Sequence, residues 1–328
     1  SQKSDSAIER AFMHFQWSRV GFSPHNNNKL AMIRGVKPLK GDYEIRNGIL
    51  VFSSYIKNQK MYGEYLERLI EFDPDFIHAY PSIIDLWAQY IIDNNLNVSL
   101  SKLKAILCGS ENLDRIQRER IEKAFHTRVY SWYGHSERGC LAGECEVSND
   151  YHILPDYGYA ESITSSGDIA KSDEPGNLIV TSFNNKVMPL IRFNTCDEVI
   201  LSDQLCPCGR GARLIKKVVG RTNQYLIDSK GKIIPANVLL PYELLGLFKN
   251  VRQYQFVQEK VGECIFLMNV KPSFSVEDEK KIKAEIEREL GRNMRFLIKY
   301  VDTIPRTKNG KLMFLDVSRR LDNSTRFN

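Results

Sequence analysis

The most chemically suggestive residues of this sequence follow a short β-branched and aromatic run, Thr127–Trp132. The run breaks at Tyr133-Gly134, and Ser136 and Glu137 come directly after it. A hydroxyl and a carboxylate at the end of an apolar strand are typical of the carboxyl edge of an open α/β sheet, where ligands usually bind. The pattern therefore predicts a ligand site here. From these residues alone, an ordinary strand-to-loop exit with a solvated glutamate has equal weight.

A second set of residues has side chains that bind metals. Thiolate and imidazole ligands favour tetrahedral Zn2+, and a Cys-x-Cys pair that closes onto a distant cysteine and histidine can form a structural site. We therefore predict one zinc ion bound by Cys145, His152, Cys206 and Cys208, with Cys140 in reserve. The alternative is a group of free, buried thiols beside a polar histidine. A zinc hydrolase is the weakest interpretation, because four protein ligands leave no open position for water.

Helices and strands alternate over the first 130 residues. Apolar residues at helical spacing predict helices over Ser6–Arg19, Met61–Phe72, from Pro81 onward, and over Asp114–Phe125. Short apolar runs predict strands at Tyr43–Phe52, with a turn at Asn47-Gly48, and at Phe76–Ala79, Leu103–Cys108 and Thr127–Trp132. Such an order forms βαβ units, which implies a parallel sheet with covered faces.

The pattern changes twice in the rest of the chain. From Cys140 to Arg210 short strands dominate, at Gly176–Ser182, Met188–Phe193 and Glu198–Leu201. After a polar break at Gly220–Gln224, an α+β pattern restarts. Hairpins are predicted at Leu226–Ile234 and Gln253–Val270, and a strand is predicted at Arg295–Val301. Helices are predicted from Pro235 to about Phe248 and from Ser275 to Gly291. The predicted fold is α/β, with a large parallel-sheet domain over 1–220, a β subdomain at about 140–219, and a small α+β lid over 221–328.

Composition narrows the class of protein. The 328 residues are 42% hydrophobic and 26% charged, an ordinary globular balance, and no run of 18 apolar residues predicts a membrane span. Seven cysteines, an odd number, argue against a disulfide framework and for a reducing compartment, so we expect a cytoplasmic protein. The net charge of +6 is interleaved along the chain, which disfavours nucleic acid as a partner. A homodimer is left open.

Five segments occur in the order found in one enzyme family. They are Cys108–Glu111, Tyr133–Glu137, Met188–Asp197, Gly220–Asn223 and Pro305–Lys311. On these segments the chain resembles the phenylacetate-CoA ligase family of adenylate-forming enzymes, including relatives from capsular polysaccharide clusters. The resemblance covers nearly the whole chain. Five matches in order are far more specific than any one of them.

The resemblance implies ATP-dependent activation of a carboxylic acid. In such enzymes the acid attacks the α-phosphate of ATP to give an acyl-adenylate and pyrophosphate, and the acyl group then passes to a thiol or an amine. ATP, Mg2+ and coenzyme A are thus the expected cofactors, besides the structural zinc. The residues implied to bind the nucleotide are Gly109, Ser110, Glu111, Tyr133, Gly134, Ser136 and Asp197.

The resemblance also implies a role for individual residues. Tyr133 would stack on adenine, Asp197 would accept hydrogen bonds from the ribose hydroxyls, and Glu137 would hold Mg2+. Lys311 would bring a positive charge to the anionic transition state. Arg221, at the junction of the two domains, would help to position the lid. Without the other motifs, Lys311 is better explained as a solvated lysine after an Asn-Gly turn.

Tyr80 and Ser82 lie where the family binds the acyl substrate, so they are implied to line that pocket. A simple strand end, with Pro81 opening a helix, explains the two residues equally well.

The chain also departs from the family. The Ser/Thr/Gly-rich loop that cradles the triphosphate is not found, and Thr164–Gly167 has its composition in the wrong place. Cys196 and Asn223 replace the family's usual glycine and hinge aspartate. Either the sequence begins after the triphosphate loop, or the protein is a natural variant without adenylation. The second case would make it a catalytically silent binding or scaffold subunit in polysaccharide assembly.

Overall fold

A computed structural model of the protein describes residues 3–35, 38–39, 41–56, 60–185, 188–221, 224–236, 239, 246–318 and 320. The chain divides into two compact units. The first unit runs to Val218 and also includes Lys308–Lys311, and the second comprises Val219–Thr307 and the segment from Leu312 onward. Within the described ranges, every helix is too short or too polar to span a lipid bilayer.

The helices of the described chain are α1 (Lys3–Ser18), α2 (Lys60–Phe72), α3 (Pro81–Asp93), α4 (Arg115–Phe125) and α5 (Val276–Leu290). The strands up to the boundary of the units are β1 (Leu30–Ile33), β2 (Tyr43–Arg46), β3 (Ile49–Phe52), β4 (Phe76–Ala79), β5 (Ala105–Gly109), β6 (Val129–Gly134), β7 (Leu141–Gly143), β8 (Tyr151–Ile153), β9 (Gly158–Ile163), β10 (Pro175–Ser182), β11 (Phe193–Ser202) and β12 (Leu214–Arg221). The later strands are β13 (Tyr225–Ile227), β14 (Ile233–Pro235), β15 (Val251–Val257), β16 (Glu263–Val270), β17 (Arg295–Tyr300) and β18 (Leu315–Asp316).

The twelve earlier strands form one sheet in the order β2-β3-β1-β4-β5-β6-β7-β8-β12-β11-β10-β9. The block β3-β1-β4-β5-β6 is parallel throughout, so its five carboxyl ends meet at one edge. Antiparallel pairing begins at β6–β7 and includes β9–β10–β11, which forms the predicted β-rich region. All residues of β4 and β5 are buried, as expected for strands covered on both faces.

The core of the first unit lies between the parallel strands and α2, α3 and α4. Phe52, Tyr65 and Trp87 pack ring against ring there, with centroids 4.8 to 5.5 Å apart. Each aromatic side chain of this size buries a large apolar area, which helps to hold the helices on the sheet.

The second unit is built around the four-stranded sheet β17-β16-β15-β18. Ile282, Ile286 and Leu290 of α5 are buried at i,i+4 spacing. As predicted, Ser275 caps the amino end of α5, forming a capping box with Asp278, and Gly291 ends the helix. The predicted mixed α/β fold with a small α+β domain is therefore confirmed.

Three predicted elements are wrong in detail. The strand Thr127–Trp132 begins later and continues through Gly134, because its last three residues pair with β7. Met188–Arg192 is not part of a strand, because Arg192 has a left-handed backbone and β11 starts only at Phe193. Pro235 ends β14 instead of opening a helix, and most of that predicted helix lies outside the described residues.

Candidate active site

The parallel strands deliver polar side chains to a single edge of the sheet. Arg34, Tyr80 and Ser110 come directly after β1, β4 and β5, and Ser136 lies two residues after β6. Carboxyl ends of parallel strands are where α/β sheets bind ligands. The candidate residues predicted from separate motifs are thus brought to one side of the molecule by the topology of the sheet.

Arg34 is the centre of a cluster at the ends of β1, β4 and β5. Its Nη1 lies 2.6 Å from Nε2 of His78, its Nη2 donates to Oγ of Ser110 at 3.3 Å, and its guanidinium lies 5.3 Å from the centre of the Tyr80 ring. His78 is only 5% exposed. Burial, and secondly the charge of Arg34, lower the pKa of His78 well below its usual value. The imidazole is therefore neutral, and its Nε2 accepts from Arg34.

The loop after β5 is shaped by close packing. A Cβ atom on Gly109 would lie 2.2 Å from Nε1 of Trp132, so no side chain fits at this position. Ser110 follows with a left-handed φ of 69°. Oε2 of Glu111 accepts from the backbone N–H of Ser82 at 3.1 Å. Glu111 is thus tied to the start of α3, where both Tyr80 and Ser82 are buried.

The end of β6 carries the aromatic ring and the carboxylate of the second motif. The Tyr133 hydroxyl donates to Oδ2 of Asp197 on β11 at 2.6 Å. Burial, and secondly the Asp197 carboxylate, raise the pKa of Tyr133, so the phenol stays neutral. Ser136 is exposed, and the Glu137 side chain is 41% exposed, with Oε2 3.3 Å from Nδ1 of His135. Glu137 can therefore be reached by a cation from solvent.

The segment Lys308–Lys311 lies against the same strand ends. The Tyr55 hydroxyl donates to the carbonyl of Lys308 at 2.8 Å, and the Tyr80 hydroxyl donates to that of Asn309 at 3.3 Å. A Cβ atom on Gly35 would lie 2.5 Å from the Asn309 carbonyl oxygen, so the close approach requires glycine. The segment that contains Lys311 is thus held at the ends of β3, β1 and β4.

The other predicted hinge and loop residues lie elsewhere. Arg221 is the exposed last residue of β12, and Asn223 lies outside the described residues. Thr164–Gly167 is a turn after β9, in which the N–H of Gly167 donates to the Thr164 carbonyl and that of Thr164 to the Asp168 carbonyl. The turn satisfies its own polar groups and does not resemble a phosphate cradle.

Cys196 occupies a backbone position that favours glycine. Its φ is 59°, in the left-handed region. Its N–H is held by Oδ1 of Asn194 at 2.9 Å, and the next N–H, of Asp197, is held by Oγ1 of Thr195 at 3.1 Å. Cys196 thus adopts a conformation that glycine adopts more freely than residues with a Cβ atom.

The predicted zinc ligands come together in a candidate metal centre. The sulfur and Nε2 atoms of Cys145, His152, Cys206 and Cys208 all lie within 4.8 Å of one another. The Sγ atoms of Cys145 and Cys206 are 3.7 Å apart, as are Sγ of Cys208 and Nε2 of His152. Tetrahedral geometry with Zn–S bonds of about 2.3 Å requires a sulfur–sulfur separation of about 3.8 Å. The residues therefore fit a tetrahedral zinc ion.

Two further observations agree with that fit. The backbone N–H groups of Val147 and Ser148 lie 3.4 and 3.2 Å from Sγ of Cys145, as expected for donors that stabilise a ligating thiolate. Cys140, the reserve candidate, is buried in a neighbouring hydrophobic cluster instead.

Sequence reasoning missed the Arg34 and His78 pair. The available signal was the apolar run Leu30–Ile33, which is followed by Arg34-Gly35 as β4 is followed by Tyr80. Tyr55 was also missed, although it lies only three residues after the end of β3.

Comparison with known proteins identifies relatives of the chain. Residues 226–316 match the family model of the CapK C-terminal domain. Protein CapK of Staphylococcus aureus is 29% identical over 87% of this chain and 62% of its own length. A phenylacetate-coenzyme A ligase of Thermus thermophilus is 25% identical over 84% of this chain and 60% of its own length. The chain thus spans about three fifths of these relatives.

Solved structures give the same fold. A 2-hydroxyisobutyryl-CoA ligase in the postadenylation state, in complex with R3-HIB-AMP, has a TM-score of 0.68 at 18% identity, over 96% of this chain and 70% of that one. A benzoate CoA ligase from Burkholderia xenovorans LB400 has a TM-score of 0.59 at 17% identity, over 92% and 63% of the two chains. The predicted resemblance is therefore confirmed: the chain is a relative of CapK and the phenylacetate-coenzyme A ligases in sequence, and it has the fold of the adenylate-forming CoA ligases.

Proposed function

We propose that this chain provides the acid- and nucleotide-binding residues and the catalytic lysine of an ATP-dependent acid ligase. The main support is that Lys308–Lys311 contacts Tyr55 and Tyr80 at the edge of the sheet where the nucleotide motifs end. Three motifs far apart in the sequence are thus within one compact unit, as one active site requires. The similarity to phenylacetate-coenzyme A ligases supports coenzyme A, rather than an amine, as the acceptor.

The reaction has two steps. A carboxylate oxygen of the acid attacks the α-phosphorus of ATP, the bond to the β-phosphate oxygen breaks, and pyrophosphate leaves. The ammonium group of Lys311 stabilises the negative charge that grows on the oxygens of the transferred phosphoryl group. In the second step the thiolate attacks the acyl carbon, and the carbon–oxygen bond to AMP breaks.

The nucleotide would be held at the ends of β5, β6 and β11. In this proposal Gly109, Ser110 and Glu111 line the adenine side, and Tyr133 stacks on the base. The hydrogen bond from Tyr133 fixes Asp197, whose carboxylate has acceptor capacity for the ribose hydroxyls as well.

Magnesium would be held beside the phosphates by Glu137, since Mg2+ prefers carboxylate oxygens. Its positive charge would neutralise the phosphate oxygens during the transfer. The partial exposure of Glu137, at the end of β6, is consistent with this role.

Arg221 lies at the junction of the two compact units, and we propose that it helps to position the second unit as a lid.

The zinc ion is proposed to be structural. Its four protein ligands lie in the loop between β7 and β8, in β8 and in the segment before β12, so the ion would join these three parts of the chain and would leave no position for a substrate.

The test is acid-dependent release of pyrophosphate by a protein that also carries the family's triphosphate loop upstream of Ser1. Carboxylic acids of different size and charge are screened in the presence of ATP and Mg2+, and coenzyme A is then added to the active ones. The proposal expects pyrophosphate release with at least one acid, and thioester formation when coenzyme A is present. Absence of both with every acid would favour the alternative, a catalytically silent binding or scaffold subunit.

A further inference from the structure

Three partly buried arginines in the first unit differ in how their charge is compensated. Arg118, 11% exposed, is paired with Glu144, and Arg120, 17% exposed, is paired with Asp85. Arg34 has no carboxylate within ion-pair distance among the described residues, and its partners are His78, Ser110 and the ring of Tyr80. Carboxyl groups thus lie against two of these arginines, whereas neutral groups lie against Arg34.

The three neutral partners hold Arg34 without cancelling its charge. His78 accepts through Nε2, Ser110 accepts through Oγ, and the Tyr80 ring face attracts the cation. Nδ1 of His78 is also buried and has no hydrogen-bond partner in the described part of the chain. The cluster thus keeps its positive charge, and the N–H group at Nδ1 of His78 has no acceptor among the described residues.

An uncompensated, partly desolvated guanidinium lowers the stability of a folded protein. Its planar fork of N–H donors matches the oxygens of a carboxylate or a phosphate. A bound anion of this kind would compensate the positive charge of Arg34. The position of Arg34, at the carboxyl end of β1 beside Tyr80 and Ser110, places that fork where the proposed acid and nucleotide sites meet.

We propose that Arg34 binds an oxyanion of the ligand, which is either a second carboxylate of the substrate acid or a phosphate of the nucleotide. The choice of these two candidate ligands rests on the proposed ligase function. The inference that Arg34 binds an anion does not depend on that function. In the first case the substrate is a dicarboxylic acid, and Arg34 determines specificity. In the second case Arg34 is a nucleotide-binding residue outside the matched motifs.

Two matched pairs of probes separate the cases, by calorimetric binding to the 328-residue chain without turnover. Succinate is compared with butyrate, and AMP with adenosine. We expect either succinate to bind at least about tenfold more tightly than butyrate, or AMP to bind at least about tenfold more tightly than adenosine. Such a difference is consistent with a charge-assisted bidentate contact to the extra carboxylate or the phosphate. Arg34→Gln should abolish that preference, and Arg34→Lys, which keeps the charge but not the fork, should retain part of it.

Arg68→Gln is the matched control. Arg68 also lies over a tyrosine ring, 5.5 Å from the centre of Tyr43, but it is paired with Glu71 away from the site. The control should keep the preference of the native chain. The proposal is overturned if the native chain prefers the anionic member of neither pair, or if both Arg34 variants keep the native preference. Because no catalysis is measured, these outcomes are independent of failure to find ligase activity.

Discussion

Cys196 illustrates how a single residue can keep a backbone geometry that its type disfavours. The left-handed conformation costs roughly 1–2 kcal/mol for residues with a Cβ atom, whereas glycine adopts it freely. The hydrogen bonds from the N–H groups of Cys196 and Asp197 hold that conformation in place. Cysteine at this position therefore lowers stability without preventing the left-handed conformation.

Cys196→Gly should raise the free energy of unfolding by about 0.5 to 1 kcal/mol. This net gain is the relief of the left-handed strain minus the cost of ordering glycine, which is more flexible in the unfolded chain. Urea unfolding measures the change. Cys196→Ala, which shortens the side chain but keeps the Cβ atom, is the control and should give no such gain. Equal effects of the two substitutions would show that the side chain, not the backbone, causes the difference.

At the scale of elements, a buried ion pair joins α4 to the segment after β7. Glu144 is bonded to Arg118 and accepts from the backbone N–H of Ser131 at 2.9 Å. Burial outweighs these partners and raises the pKa of Glu144 from 4.5 to about 7. The folded protein thus holds this proton more tightly than the unfolded chain does, and the free energy of unfolding should fall as the pH rises from about 4.5 to about 7.

Glu144→Gln removes this titration. The stability of the variant relative to the native protein should therefore increase as the pH rises through that window. Thermal unfolding of both proteins at pH 5, 6, 7 and 8 measures the difference. If the relative stability of the variant instead fell with rising pH, Glu144 would be an ordinary ionised partner of Arg118 with a lowered pKa.

The cysteine and histidine cluster brings together the loop between β7 and β8, strand β8 and the segment before β12. Four-ligand zinc sites generally retain the metal, so purified protein should contain about one equivalent of zinc by elemental analysis. Cys208→Ser should lower that content and the melting temperature together. Cys196→Ser, which removes a cysteine outside the cluster, should change neither the zinc content nor its retention. A metal-free protein with the native melting temperature would refute the zinc site.

Helices and strands were predicted correctly where a short stretch of sequence determines their conformation. The capped α5 and the fully buried β4 carry their signals within one short window, at Ser275, Gly291 and Phe76–Ala79. β1 was missed because three of its four residues, Leu30, Ala31 and Met32, favour helix over strand, so its conformation depends on pairing with β3 and β4. Arg34 was missed with it, since its role depends on neighbours 44 and 76 residues away.

At the scale of the whole molecule, the division into two units motivates a prediction about the hinge. The long N-terminal segment of the first unit ends at Val218, the second unit begins at Val219, and Gly220–Asn223 resembles the family hinge. Limited trypsin digestion should therefore cut first near Gly220–Gln224, after Arg221, and leave two fragments that are resistant to further digestion. First cuts elsewhere, with uniform resistance across this stretch, would contradict the hinge.

The roles of distant residues could be predicted only through the resemblance. Spacing alone does not relate Lys311 to the strand ends, because more than 200 residues separate Lys308–Lys311 from Tyr55 and Tyr80. Their contacts arise from the fold of the whole chain. The central claim is therefore that Lys311 belongs to the active site.

The most direct test is acid-dependent exchange of pyrophosphate into ATP by a protein in which the family's triphosphate loop is placed before this chain. Lys311→Ala should lower exchange by roughly 10²- to 10³-fold, about 3 to 4 kcal/mol, as for the loss of one preorganised oxyanion donor. Its melting temperature should stay nearly unchanged, and Lys308→Ala, in the same segment, should exchange at nearly the native rate. Near-normal exchange by Lys311→Ala, with an active acid identified, would contradict the account.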